Sequence, residues 1–168
     1  FRPAPADGSP RIPDSVDGFQ WLEPPPGYYY ADPFVIRHLE RTWLFFERYD
    51  CRRQGGLIAC GELGPDGIMG EVRVALEEPW HLSYPVVFAD EAEFFMIPEA
   101  AQSGKVTLYR AAQFPYAWVR VRELFDFGLL DVTPLRDQGR YWFFAAALDP
   151  RAASVRLCLF HAPTLFDP

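Results

Sequence analysis

With 168 residues, a net charge of −7 and a pI near 4.9, the chain has no broad basic surface for phosphate, which excludes nucleic acid and anionic membranes as partners. No run approaches the about 18 apolar residues of a membrane span and no basic-then-apolar leader is visible, so no membrane insertion and a cytoplasmic location are expected. Aromatic residues make up 17% of the chain, and 17 Pro and 12 Gly cut it into short segments, the composition of an all-β fold. Cys51, Cys60 and Cys158 are odd in number and at no zinc spacing, and read as free thiols.

Residues 1–26 are rich in proline and read as a linker or arm, in which the apolar Phe19–Leu22 is a candidate strand. The fold proper is expected over 27–168. Its first unit opens with Tyr28–Asp50, where Ala31–Arg37 turns through His38-Leu39-Glu40-Arg41 into Thr42–Glu47 as a β-hairpin. This places Asp32 opposite Glu47. Leu57–Leu63 and Glu71–Leu76 complete a four-stranded meander, with Gly-rich turns between them.

The same order recurs. Leu82–Phe88, Phe94–Ile97, Val106–Ala111 and Trp118–Phe125 form a second unit, then Asp131–Leu135, Tyr141–Ala146 and Val155–Phe160 begin a third. Aligning Pro33, Pro85 and Pro134 gives intervals of 52 and 49 residues, and Trp43–Phe46, Phe95–Pro98 and Trp142–Ala145 fall into step. A period near 50 with four strands per repeat is the mark of a β-propeller. Propellers close with roughly four to eight blades, so this chain supplies two blades and most of a third, at about 28–78, 79–127 and 128–168. Further blades or a catalytic domain in a longer parent chain, or another copy, are expected to cover its open edges.

The start of each inner strand and the links that lead to it face one mouth, which gathers candidate residues there. Asp32, Glu99 and Asp131 are the candidate catalytic acids; Tyr30, Glu47, Trp80, His81, Ser83, Tyr84 and Thr133 are the candidate lining. Carboxylates accept hydrogen bonds from hydroxyls and aromatic faces cover the C–H face of a pyranose, so the expected ligand is a saccharide. Glycoside cleavage needs two acids, roughly 5–5.5 Å apart for retention or 6.5–9.5 Å for inversion. Glu47 is expected to pair with Arg48, Arg52 or Arg53. The three histidines are too scattered for zinc, and no nucleophile elbow or phosphate loop is present, so neither a metal nor a cofactor is expected.

Tyr28–Phe34 (YYYADPF), His81–Pro85 (HLSYP), Met96–Glu99 (MIPE), Leu108–Ala111 (LYRA) and Leu129–Leu135 (LLDVTPL) together resemble the N-terminal propeller domain of glucosamine inositolphosphorylceramide transferases and their bacterial relatives. That domain is similar in fold to the five-bladed glycoside hydrolases of the arabinanase, xylosidase and invertase group. The resemblance implies an acid at the start of the inner strand in each of the first three blades. Asp32 matches the first, the general base or nucleophile; Ser83-Tyr84 departs from the second, and Asp131 stands where a Glu would act as general acid. In the transferase relatives a separate domain is expected to transfer the sugar. The leading expectation is therefore a carbohydrate-recognising propeller beside a sugar-modifying domain. An active glycosidase using Asp32 with Asp131 or Glu99, and a scaffold for a protein partner, stand beside it.

Overall fold

Each hairpin is set by its turn. In the computed structural model, which describes residues 15, 17, 19, 21–149 and 154–166, β1 (Tyr28–His38) returns as β2 (Arg41–Asp50) through Leu39 and Glu40, both with positive φ. Two left-handed residues give a turn whose twist matches that of the strands it joins. β3 (Gly55–Leu63) and β4 (Arg73–Leu76) follow in simple antiparallel order, so that blade 1 is the sheet β1-β2-β3-β4. Blade 2 repeats it with β5 (Ser83–Asp90), β6 (Glu93–Glu99), β7 (Val106–Gln113) and β8 (Ala117–Phe125). Blade 3 has β9 (Leu130–Asp137), β10 (Arg140–Asp149) and β11 (Ser154–Ala162) among the described residues. Apart from the 3-10 turn Ala101–Ser103, the described residues hold no helix. The chain is all-β, a partial β-propeller of two four-stranded blades and a third with three strands.

The inner strands stand side by side, β1 against β5 and β5 against β9, while the sheets pack face to face. Alternation along each strand feeds two seams. Trp43, Phe45, Ile58 and Cys60 of blade 1 meet Leu82, Val87, Met96 and Tyr109 of blade 2. Phe95, Ile97 and Leu108 meet Val132, Tyr141 and Phe143 in the second seam. Polar bonds reinforce both: Arg120 pairs with Glu78, which also accepts the Tyr109 hydroxyl at 2.8 Å, and Arg136 reaches Asp90 at 2.6 Å. The faces turned away from the seams differ. Leu44, Phe46 and Ala59 remain covered on blade 1, whereas Phe144, Leu157 and Leu159 of blade 3 lie exposed. All three cysteines are free, and burial pushes the Cys60 thiol up to about 12.

The inner strands share one irregularity. Ala31 pairs with Glu47 and Phe34 with Phe45, so Asp32-Pro33 opposes Phe46 alone; the same bulge recurs at Tyr84-Pro85 and Asp131-Val132. The first bulge residue is left-handed each time, with φ of 51° at Asp32, 43° at Tyr84 and 53° at Asp131. Proline suits the second position because a bulge leaves that N–H outside the ladder.

This bulge corrects two expectations, and the stretch before blade 1 corrects a third. Val132, not Pro134, is the third counterpart of Pro33 and Pro85; Pro134 pairs with Phe143 inside the regular ladder. Glu47 and Glu99 oppose Ala31 and Ser83, one residue before Asp32 and Tyr84, because the extra residue shifts the register. In the stretch before blade 1 no strand forms at the described residues Phe19, Trp21 and Leu22: Leu22 packs on Leu44 and Phe46, and Trp21 is exposed.

Truncating the central ring by Phe45→Ala is expected to cost about 3–5 kcal/mol, measured by urea unfolding, since Phe45 is fully buried in the first seam. Replacing Leu39-Glu40 with Asn-Gly is expected to raise the unfolding midpoint, by about 1 kcal/mol of stability, because both positions are left-handed. The exposed Arg37–Glu40 pair lost in that change contributes less.

Candidate functional site

The bulges decide which side chains meet. A left-handed residue turns the strand locally, so Asp32, Tyr84 and Asp131 occupy one position in three successive blades. They are linked by hydrogen bonds, with Thr133 as the relay to Asp131. The backbone N–H of Tyr84 donates to Asp32 Oδ2 at 3.2 Å, and the Tyr84 hydroxyl lies 3.0 Å from Thr133 Oγ1, which bonds the Asp131 carbonyl at 3.0 Å. Tyr84 thus bonds the Asp32 carboxylate and reaches the backbone of Asp131 through Thr133, its ring held edge-on by Phe34 at 5.0 Å.

The partner strand supplies a second tier. Glu47 and Glu99 are equivalent, each opposite the residue before a bulge, and Ala146 takes that position in blade 3. The Glu99 carboxyl lies against Asp131, whose carboxyl helps to raise its pKa. By repetition Glu47 would lie against an acid at the bulge of blade 2, but Tyr84 stands there, and Glu47 Oε1 is buried without a hydrogen-bond partner among the described residues. The arginine pairing expected for Glu47 is not what forms. Arg48 stacks over Tyr28 and Arg53 reaches Asp50 and Glu77, while Glu47, 5% exposed, faces His81 Nε2 at 3.7 Å.

His81 is oriented by the backbone around it. Its Nδ1 accepts the Gly56 N–H at 2.8 Å, which leaves the proton of the neutral ring on Nε2, toward Glu47. Burial lowers its pKa, against the pull of Asp32, so the ring is neutral at pH 7. Gly56 is required here for space alone: a Cβ would come within 2.6 Å of the Leu82 carbonyl, 2.7 Å of Glu47 Oε1 and 2.8 Å of His81 Cε1.

Burial raises the pKa of Glu47 to about 7, with Asp32 adding to it. Burial raises Glu99 to about 7 as well, and there the neighbouring Asp131 is the next cause. At neutral pH each is partly protonated and able to donate as well as accept. Among the described residues no three acid, His or Cys side chains converge on a centre fit for a metal.

Of the ten candidates from the sequence, seven are gathered by these contacts, Ser83 joins them as the buried ladder partner of Glu99, and two do not. Tyr30 lies on the far face of blade 1, its ring 4.5 Å from Phe46 and its side chain against that outer cluster, because it neighbours Ala31 and points the other way. Trp80 packs into the first seam beneath Arg120, 5.1 Å away. The residues that sequence reasoning missed are Tyr29 and Tyr49. They are a cross-strand pair, stacked at 4.6 Å and 16°, and Tyr49 meets the His81 ring at 5.8 Å. The hairpin register was the signal that could have found them.

A partial propeller with acids at two of its three inner-strand bulges is the class of fold and site that emerges. The chain belongs to the family described as glucosamine inositolphosphorylceramide transferase 1, N-terminal, whose model matches residues 23–165. It is 36% identical over 122 residues to glucosamine inositolphosphorylceramide transferase 1 of Oryza sativa subsp. indica, and 33% identical over 122 residues to that of Arabidopsis thaliana. In both comparisons the match covers 72% of this chain and 16% of the relative, so the chain spans a small part of those proteins. In fold it is similar to a family 117 glycoside hydrolase of Zobellia galactanivorans, with a TM-score of 0.66 at 13% identity, covering 88% of this chain and 56% of that one. The Cellvibrio cellulosa α-L-arabinanase complexed with arabinohexaose matches with a TM-score of 0.61 at 14% identity, over 83% of this chain and 54% of that one. At such identities the likeness establishes the fold. No helix of the described residues is long and apolar enough to cross a membrane.

The raised carboxyls make stability depend on pH. An unfolded Glu ionises near 4.5, and the folded Glu47 and Glu99 near 7, so the folded state holds more protons between these values. Their contribution is full below pH 4.5 and is lost as pH rises to about 7. Glu47→Gln, which mimics the protonated form, is expected to be more stable than the parent at pH 8 and to lose that advantage at pH 5, measured by urea unfolding midpoints.

Proposed function

We propose that this chain is the carbohydrate-recognising part of a five-bladed propeller, built like a glycoside hydrolase and working beside a sugar-transferring or sugar-modifying domain of the same parent. The observation that carries the reading is the alignment of Asp32, Tyr84 and Asp131 on equivalent bulges, tied together through Tyr84. A ring of carboxylates and hydroxyls offers both acceptors and donors, which is what a polyhydroxylated ligand requires. Asp32 and Asp131 accept from sugar hydroxyls, and Glu99, held near neutrality, exchanges the two roles. Tyr84, Thr133, Ser83 and His81 line the rest. Family membership and the glycoside hydrolases that share the fold support a saccharide as ligand, and the short span of the relatives covered supports further blades and a separate domain.

The full-length parent is expected to bind saccharide on a glycan array and in titration calorimetry, and Asp32→Asn with Asp131→Asn to weaken that binding at least about tenfold. Absence of any saccharide binding by the parent would remove the reading.

Glycoside hydrolysis is the second reading, and Glu99 favours it. A carboxyl held near pH 7 by burial and by a second carboxyl, that of Asp131, has the form of a general acid. Asp32 then serves as base or nucleophile. On this reading the parent releases a chromogenic aglycone from an aryl glycoside panel, and both Asp32→Asn and Glu99→Gln abolish release while preserving the circular dichroism of the fold. No turnover across the panel leaves recognition alone.

A further inference from the structure

The three bulges are equivalent, but what stands beside them is not. Three residues before each bulge residue the chain has Tyr29, His81 and Gly128; two residues after Glu47, Glu99 and Ala146 it has Tyr49, Ala101 and Leu148. Blades 2 and 3 form without an aromatic pair there, so the blade itself does not require one. In blade 1 the pair is nevertheless well ordered: the rings stack at 4.6 Å, and Tyr49 is braced edge-on by His81.

Tyr29 is 44% exposed. An exposed aromatic held on one side by a partner ring keeps the other side for solvent or ligand, at little further cost in side-chain entropy. It also lies within electrostatic reach of the acids. Burial, then the carboxylate of Glu47, Tyr49 and more weakly Asp32 hold its phenol above the ordinary value. Tyr28, 37% exposed and faced by Arg48 at 5.6 Å, lies by strand alternation on the opposite face with Tyr30 and takes no part in this stack.

We infer that the Tyr29–Tyr49 stack is a second saccharide subsite on the blade 1 side of the acid-lined mouth, so that the ligand is an oligosaccharide of at least two rings, one at Asp32 and the next on the face of Tyr29. This rests on the saccharide-recognition reading and narrows it from sugars in general to linear oligosaccharides. A pyranose or furanose lays its C–H face on the Tyr29 ring, and its rim hydroxyls meet the neighbouring carboxyls. No counterpart exists in blades 2 and 3 among the described residues, which gives the mouth a direction.

The test uses the full-length parent and chain-length series of cello-, xylo-, manno- and arabino-oligosaccharides from one to four rings, titrated calorimetrically. Affinity is expected to rise between one ring and two in the series that binds. Tyr29→Ala is expected to remove that gain, a fall of about tenfold for two rings and longer with single-ring affinity unchanged, the size of one aromatic stacking contact. Tyr29→Phe, which keeps the ring, is expected to restore it, and this separates a stacking role from damage to the fold. Equal affinity for one and two rings, or a Tyr29→Ala protein that binds long saccharides as the parent does, overturns the subsite and leaves saccharide recognition standing. Failure of the parent to bind any of the four series at any length, as well as any sugar on the array, overturns both.

Discussion

The left-handed residue at the start of each inner strand is the constraint on which the site depends. A bulge in a regular antiparallel ladder leaves one residue unpaired and bends the strand. Here the bend occurs at Asp32, Tyr84 and Asp131, none of them glycine, each held at a φ that costs about 1 kcal/mol or more. The seams supply what opposes that cost. Phe45, Ile58, Leu82, Met96 and Tyr109 pack between blades 1 and 2, which carry the first two bulges, and the Tyr84 N–H spans the same boundary to Asp32. Strain at the strand start and burial in the seam are parts of one arrangement.

The charge at the mouth shows the same balance. Asp32, Glu47, Glu99 and Asp131 gather with no Lys or Arg bonded to them among the described residues, and the one basic side chain in contact, His81, is kept neutral by burial. Surface acids of this protein are treated differently: Asp50 is held low by the backbone N–H groups of Arg52 and Arg53, and Glu62 by Arg41. Glu78 and Asp90, at the seams, have arginine partners as well. The chain therefore has cations to spare for its structural carboxyls and places none at the bulges. Leaving those acids uncompensated lowers stability near neutral pH, as sites under functional demand commonly do.

The fold was largely legible because its signals are local. Hairpin turns at Leu39-Glu40, Glu91-Ala92 and Gln138-Gly139 fall between strands whose aromatic second members, Trp43–Phe46, Phe95–Pro98 and Trp142–Ala145, align residue for residue in the ladders. The site was only partly legible because it turns on single-residue register. Proline marked the bulge in blades 1 and 2, but in blade 3 Val132 stands at that point and the proline two residues later attracts the alignment. Asp131 is still legible, because it opens the third inner strand in the sequence. Tyr30, the candidate read from the sequence, points to the face opposite Tyr29, a distinction that needs the pairing of Tyr29 with Tyr49 and of Ala31 with Glu47. The environment of Glu47 was beyond local reading altogether, because it depends on Gly56 and His81, which no hairpin brings together.

Gly56 carries no functional group, yet the room it leaves is what lets the His81 ring, the Leu82 carbonyl and the Glu47 carboxyl close on one another. Its backbone is not left-handed, so alanine would satisfy the strand and fail only against its neighbours. For an engineer this position offers an electrostatic control without a charge: one methyl group at position 56 would press on the Leu82 backbone carbonyl as well as on the imidazole and the carboxyl, changing the surroundings of Glu47 while leaving every residue of the mouth chemically intact.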